Sequence, residues 1–298
     1  MSLPDTSIAP DSLPDINLTP ARSLVLWRRF RRNRAAVLGL ALFVIVVLMA
    51  AFADVVTPGD PLRNAGPPLT APLVLAANAL GTDQLGRDIM AGIFHGARIS
   101  LIIGVVATLI SIVIGVVIGA VAGYFGGKID GALMRVTEAF QTIPSFILLL
   151  TLVAIFGSSI HNIVIAIGIV SWTAPARMVR AEFMSLRQRE FVDAARNLGV
   201  SDVSIIFREI LPNALPPVIV FASVVMATSI LMESALAFLG LGDPNYASWG
   251  NMIGQGRAVL RTAWFCSVIP GVAILLTVLS FSLMGEGLND ALNPRQKT

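Results

Sequence analysis

The hydrophobic positions of this chain fall into long unbroken runs, not into the alternation of a half-buried strand or the narrow stripe of a soluble helix. A helix that crosses a bilayer needs about 20 mostly apolar residues. Six runs reach that length, at residues 35–56, 99–124, 133–156, 160–179, 215–239 and 265–288. They predict an all-α polytopic membrane protein with six transmembrane helices. The third run is interrupted by Glu138, Gln141 and Pro144, and a kink is predicted at Pro144, which lacks a backbone donor.

The stretch "REFVDAARNLGVSDVSIIFREILPN", residues 189–213, breaks this pattern. It carries Arg189, Glu190, Asp193, Arg196, Asp202, Arg208 and Glu209 between the fourth and fifth runs. Within it "FVDAARNLG" predicts a helix with Phe191, Ala194, Ala195 and Leu198 on one side, closed by Gly199. Ser201 is placed to cap a second helix, "DVSIIFREIL", with Val203, Ile206, Phe207 and Ile210 at helical spacing. Pro212 marks the start of the next span. The expectation is a helix–turn–helix against one membrane face, offering an apolar ridge edged with charge.

Composition narrows the class. The chain is 55% hydrophobic and 13% charged, with mean hydropathy +0.80, whereas soluble domains are about 25% charged. One cysteine, Cys266, excludes an internal disulfide and a Cys-cluster metal site, and two histidines, His95 and His161, make a His-rich metal centre or relay improbable. No metal site and no nucleic-acid partner are expected.

Charge orients the spans. With the N-terminus in the cytoplasm, 16 of the 21 basic residues fall inside and 5 outside, as the positive-inside rule requires. Both termini are then cytoplasmic, and so is the 189–213 stretch. "AFA" (Ala51, Phe52, Ala53) imitates a signal-peptide cleavage site, but its apolar run is long for such a segment and more than 30 residues precede it. The expected organisation is a cytoplasmic tail with a basic segment (1–34), the first span and outer loop (35–98), a permease core (99–290) containing the cytoplasmic loop at about 181–213, and a C-terminal tail (291–298). Residues 1–20, rich in Pro, Ser and Asp, read as disordered.

Some residues inside the spans merit roles of their own. Gly115, Gly119, Gly123 and Gly127 recur every four residues and predict close helix packing. Intramembrane carboxylates are costly and are functional candidates by default. Glu138 and Glu286 lie near the ends of their spans. Glu233 lies deeper and is a candidate for lining a translocation path or for pairing with Arg98. Pro144, at the expected kink, is a second candidate for the path.

The spacing Ala194-Ala195, three residues, Gly199, then Leu211-Pro212 resembles the EAA loop of ABC importer permeases. Asp193 stands in for the family's Glu, and Glu209 stands where an aliphatic residue is usual. "WRRFRRNRAAVLGLALFVIVVLMAAFA", "GTDQLGRD", "GARISL", "AGYFGG", "ILPN", "ALAFLGLG" and "WGNMI" follow in the order seen in the second, C-type permease subunit of dipeptide, oligopeptide and nickel importers. The resemblance implies the type I ABC importer permease fold in a bacterial inner membrane. It also implies an ATP-driven importer for peptides, with nickel, glutathione or opine-like solutes as alternatives. The implied partners are a homologous B-type permease, two ATPase subunits that carry ATP and Mg, an extracytoplasmic binding protein and membrane lipid. The implied coupling residues are Asp193, Ala194, Ala195, Arg196, Leu198, Gly199, Leu211 and Pro212.

No cofactor is expected on this chain. "AGYFGGKID" mimics a phosphate loop, but Ala122 replaces the first glycine and Ile129 the required Ser or Thr. No catalytic constellation is visible, so a non-catalytic subunit is expected. An ion-coupled secondary transporter is the competing class; its inverted repeat and midplane ion site are not seen.

Overall fold

A computed structural model describes residues 22–74 and 78–292, and the side chains from residue 27 onward. The stretch expected to be disordered, 1–20, and residues 293–298 of the expected C-terminal tail lie outside the described residues, while residues 291 and 292 of that tail still belong to the last helix. The fold is helical: α1 (Arg22–Arg32), α2 (Arg34–Ala51), α3 (Ala53–Val56), α4 (Ile89–Phe125), α5 (Gly127–Thr142), α6 (Ser145–Phe156), α7 (Ile160–Ser171), α8 (Thr173–Leu186), α9 (Glu190–Asn197), α10 (Asp202–Ser204), a π-helical turn Ile205–Ile210, α11 (Leu211–Phe238), α12 (Trp249–Gly256) and α13 (Phe265–Leu292). Among the described residues four helices are long and apolar enough to cross a membrane, and six if each of two bent pairs counts as one span. The pairs are α5 with α6, bent by 79°, and α7 with α8, bent by 41°.

Local chemistry sets several boundaries. Asn33 stands between α1 and α2, and its side chain accepts from the Ala36 amide. Asp88 caps α4 by accepting from the Met90 amide. This cap starts the second span at Ile89, well before the expected residue 99, because Ile89 and Ile93 are buried against Trp249. The bend between α5 and α6 falls at Ile143-Pro144, as the missing proline donor dictates.

The fifth span departs furthest from expectation. The helix runs from Asp202 through Phe238 without a break, so Pro212 does not separate a short helix from a span. The Leu211 amide reaches back five residues to the Ile206 carbonyl. That wider turn lies immediately before Pro212, where an ordinary turn would lack a donor. Ser201 has extended backbone but makes no side-chain capping bond.

α4 is the central rod, packed against α2, α7, α8 and α11. Gly115, Gly119 and Gly123 bring it onto α8. A Cβ on Gly115 would lie 2.5 Å from the Pro175 Cβ, one on Gly119 2.5 Å from the Ala176 carbonyl oxygen, and one on Gly123 2.6 Å from the Arg180 carbonyl oxygen. Gly127 does not join them. It opens α5 with φ +54°, and a Cβ there would meet nothing within 4 Å. The four-residue spacing continues in sequence, but Gly126 at φ +67° turns the chain out of α4 first.

Candidate functional site

The 189–213 stretch folds as α9, a glycine turn and the start of the long fifth helix. Val192 and Ala195 of α9 are buried with Val179, Phe183, Ile205, Ile206 and Ile210, and Leu211 packs half-buried against the same cluster. The opposite side of the loop is apolar yet open. Leu198 is 82% exposed, Val203 66% and Phe207 62%, with Phe191 and Ala194 also exposed. The expected single face of Phe191, Ala194, Ala195 and Leu198 is therefore split, with Ala195 turned inward. Val203 and Phe207 separate from Ile206 and Ile210 in the same way. Exposed Arg189, Asp193, Arg196, Gly199, Arg208 and Pro212 accompany this patch.

The turn is built by backbone bonds. The Gly199 amide donates to the Arg196 carbonyl at 2.9 Å, and the Val200 amide donates to the Ala195 carbonyl at 3.1 Å. This paired closure requires a left-handed residue, and Gly199 supplies it at φ +76°. Nothing lies within 4 Å of a Cβ on Gly199, so the backbone alone selects glycine here.

Tyr124, near the end of α4, ties the loop to the bundle. Its hydroxyl donates to Asp202 Oδ1 at 2.5 Å, and its ring lies 5.5 Å from the Arg196 guanidinium carbon. Arg187 Nη1 donates to the Tyr124 carbonyl at 2.9 Å. Sequence reasoning passed over this tyrosine; the available signal was a hydroxyl-bearing ring where an apolar span ends. Beside it, Arg180 of α8 holds Asp130, in the first turn of α5, through two nitrogens. Those hydrogen bonds keep the Asp130 carboxyl below its ordinary pKa, against the opposing effect of burial.

The far end of the bundle is a cap. Trp249 Nε1 donates to the Ile93 carbonyl at 3.0 Å, and Ser248 Oγ donates to Glu233 Oε1 at 2.7 Å. Glu233 is 3% exposed and does not reach Arg98, which pairs with Asp54 at 2.9 Å. Its carboxylate is thus engaged in seating α12, a short helix between the fifth and sixth apolar runs. Pro144 is exposed at the α5–α6 break. The "AGYFGGKID" segment forms the α4–α5 turn, and Gly126 sits under the Arg187 guanidinium.

Residues 115–298 match the family described as the binding-protein-dependent transport system inner membrane component, and residues 24–72 match the N-terminal transmembrane domain of oligopeptide transport permease C. The chain belongs to this permease family. It is 42% identical over 288 residues to the dipeptide transport system permease protein DppC of Escherichia coli K12, covering 95% of each chain. It is 38% identical over 295 residues to the di/tripeptide transport system permease protein DppC of Pseudomonas aeruginosa, covering 97% of each. It is 40% identical over 292 residues to the glutathione transport system permease protein GsiD of Shigella flexneri, covering 95% of this chain and 93% of that protein. In fold it resembles a chain of the MetNI methionine ABC transporter in an inward-facing conformation, with TM-score 0.57 and 19% identity, over 69% of this chain and 98% of that one. The permease is accordingly a multi-pass membrane protein with the type I ABC importer fold.

Proposed function

We propose that this permease forms half of the translocation pathway of an ATP-driven importer for short peptides, and that the α9 loop is where a separate ATPase subunit docks. The observation that carries the reading is the open apolar patch of Phe191, Ala194, Leu198, Val203 and Phe207 on a loop whose inner side is tightly packed. Contiguous exposed apolar surface outside the spans favours a protein partner. Asp193, Arg196, Gly199 and Pro212 edge the patch, and Ala195 and Leu211 fix its shape from behind. In this reading the α9 end faces the cytoplasm with both termini, and a second, homologous permease completes the pathway. ATP and Mg belong to the two ATPase subunits, and an extracytoplasmic binding protein delivers solute at the α12 end. Support for peptides comes from relatives named for dipeptides and from relatives named for glutathione, which is itself a tripeptide. The deciding experiment reconstitutes the permease with its co-expressed partners and measures uptake of labelled alanyl-alanine and of labelled glutathione. ATP-dependent alanyl-alanine uptake that requires the binding protein is expected. Uptake that follows an ion gradient and ignores ATP would overturn the proposal.

A further inference from the structure

Tyr124 touches both limbs of the α9 loop and the segment that leads into it. Arg196 belongs to the first limb, Asp202 to the second, and Arg187 to the entry. The tyrosine is 5% exposed, so these contacts are made from inside the bundle. It lies one residue from the end of α4, a helix of 37 residues, or about 55 Å at the usual rise. The opposite end of that rod is gripped in the cap, where Ile93 accepts from Trp249 and Ile89 and Ala97 are buried beside it.

We infer that Tyr124 is a positioning residue that hands displacement of the α9 loop to α4, and through α4 to the α12 cap. The chemistry suits the task. A phenol has few torsions, and its hydroxyl meets a carboxylate, so the link is short and directional. The guanidinium over the ring adds a second, orientation-dependent attachment. The remaining contacts of the loop, through Val192, Ala195, Ile205 and Ile206, are apolar and carry little direction. Gly126 makes the arrangement possible, because a Cβ there would lie 2.7 Å from Arg187 Nη1.

This inference rests on the proposal that α9 docks on an ATPase. Its test uses the complete reconstituted transporter and reads three quantities: ATPase assembly, thermal melting, and alanyl-alanine taken up per ATP hydrolysed. Tyr124→Phe removes the hydroxyl and keeps the ring; Asp202→Ala removes the acceptor from the exposed side and leaves the buried ring untouched. Each is expected to assemble and melt like the wild type while uptake per ATP falls about fivefold or more. The double variant is expected to be no worse than the more affected single one, as for two ends of one bond. Wild-type uptake per ATP in either single variant would overturn the inference. Gly199→Leu, run in parallel, separates the two levels. If it lowers uptake per ATP while Tyr124→Phe does not, the docking proposal stands and the role of Tyr124 falls. If neither variant lowers it, the docking proposal falls as well.

Discussion

Arg180 grips Asp130 at two points, with Nη2 donating to Oδ2 at 2.6 Å and Nε to Oδ1. The pair joins α8 to the first turn of α5, ahead of the apolar stretch of the third span. A lysine could make only one of the two bonds. Because the folded Asp130 carboxyl titrates below its unfolded value, its contribution is present above the unfolded pKa of about 3.9 and is lost as pH falls through the folded value. Arg180→Lys is therefore expected to destabilise the permease by roughly 1–2 kcal/mol at neutral pH. Melting curves should show that gap closing below about pH 4. A gap that persists unchanged in stronger acid would remove the ion pair as its cause.

The contact of α4 with α8 depends on missing side chains. Gly119→Leu places atoms where the Ala176 carbonyl and Val179 already stand, and overpacking of this kind costs about 1–3 kcal/mol or more. Yield of folded permease in membranes is expected to collapse. Gly127→Ala, one α4 repeat further on, meets open space, and only its φ of +54° opposes the substitution. It should retain most of the wild-type yield. Equal losses at both sites would contradict the packing described for α4.

Gly199 separates backbone from bulk. With no neighbour within 4 Å, Gly199→Leu adds a left-handed backbone penalty of roughly 1–2 kcal/mol and a side chain on the open patch. The six-span core should melt normally, while the ATPase docks poorly or hydrolyses ATP without moving solute. Gly199→Asn tolerates the left-handed turn better and should retain more coupling. Pull-down of the ATPase and uptake per ATP, measured on both variants, check the ordering Gly, Asn, Leu.

Sidedness can be read directly. Ser201 is exposed at the start of the second limb, and Cys266 is buried. A Ser201→Cys variant in a Cys266→Ser background should react in intact cells with membrane-permeant thiol reagents alone. Labelling by an impermeant reagent would place the α9 end outside.

Glu233 and Ser248 clasp α11 to α12 at 2.7 Å. Glu233→Gln keeps an acceptor for the serine hydroxyl and should melt near the wild type. Glu233→Leu leaves the buried Ser248 hydroxyl proton without an acceptor, although its oxygen still caps α12 through the Asn251 amide, at a cost of roughly 1–3 kcal/mol. Melting of the two variants in the same detergent checks the difference, and equal melting would show that the clasp contributes nothing.

The spans and the glycine turn were legible because each rests on a local signal: apolar length, a glycine that alone fits a left-handed residue, a proline that cannot donate. The kink at Pro144 was legible for the same reason. Features set by tertiary contact were not. Nothing local announces that Asp88 starts α4 early, since that depends on Trp249 closing over Ile93 from distant sequence. Pro212 read as a boundary, because a wider π turn that absorbs a proline leaves no mark in composition. Glu233 reads from sequence as a path residue or as a partner for Arg98, and its actual partner, Ser248, could not be foreseen because it comes from the segment that follows the span. The spacing singles out Ala194 and Ala195, but which of them faces out depends on the cluster beneath α9.

The break at Ile143-Pro144 also fixes which way this subunit can face. A helix that ends leaves its last carbonyls without amide partners, and hydrocarbon offers them none. Gln141, Thr142, Ile143, Pro144 and Ser145 are all exposed on the isolated chain. That side of the molecule is consequently unsuited to bare lipid and suited to water or to protein. The continuous apolar flanks, such as Val113 and Val117 of α4 or Leu275 and Leu279 of α13, are suited to acyl chains. One proline thus gives the subunit an inside and an outside within the plane of the membrane.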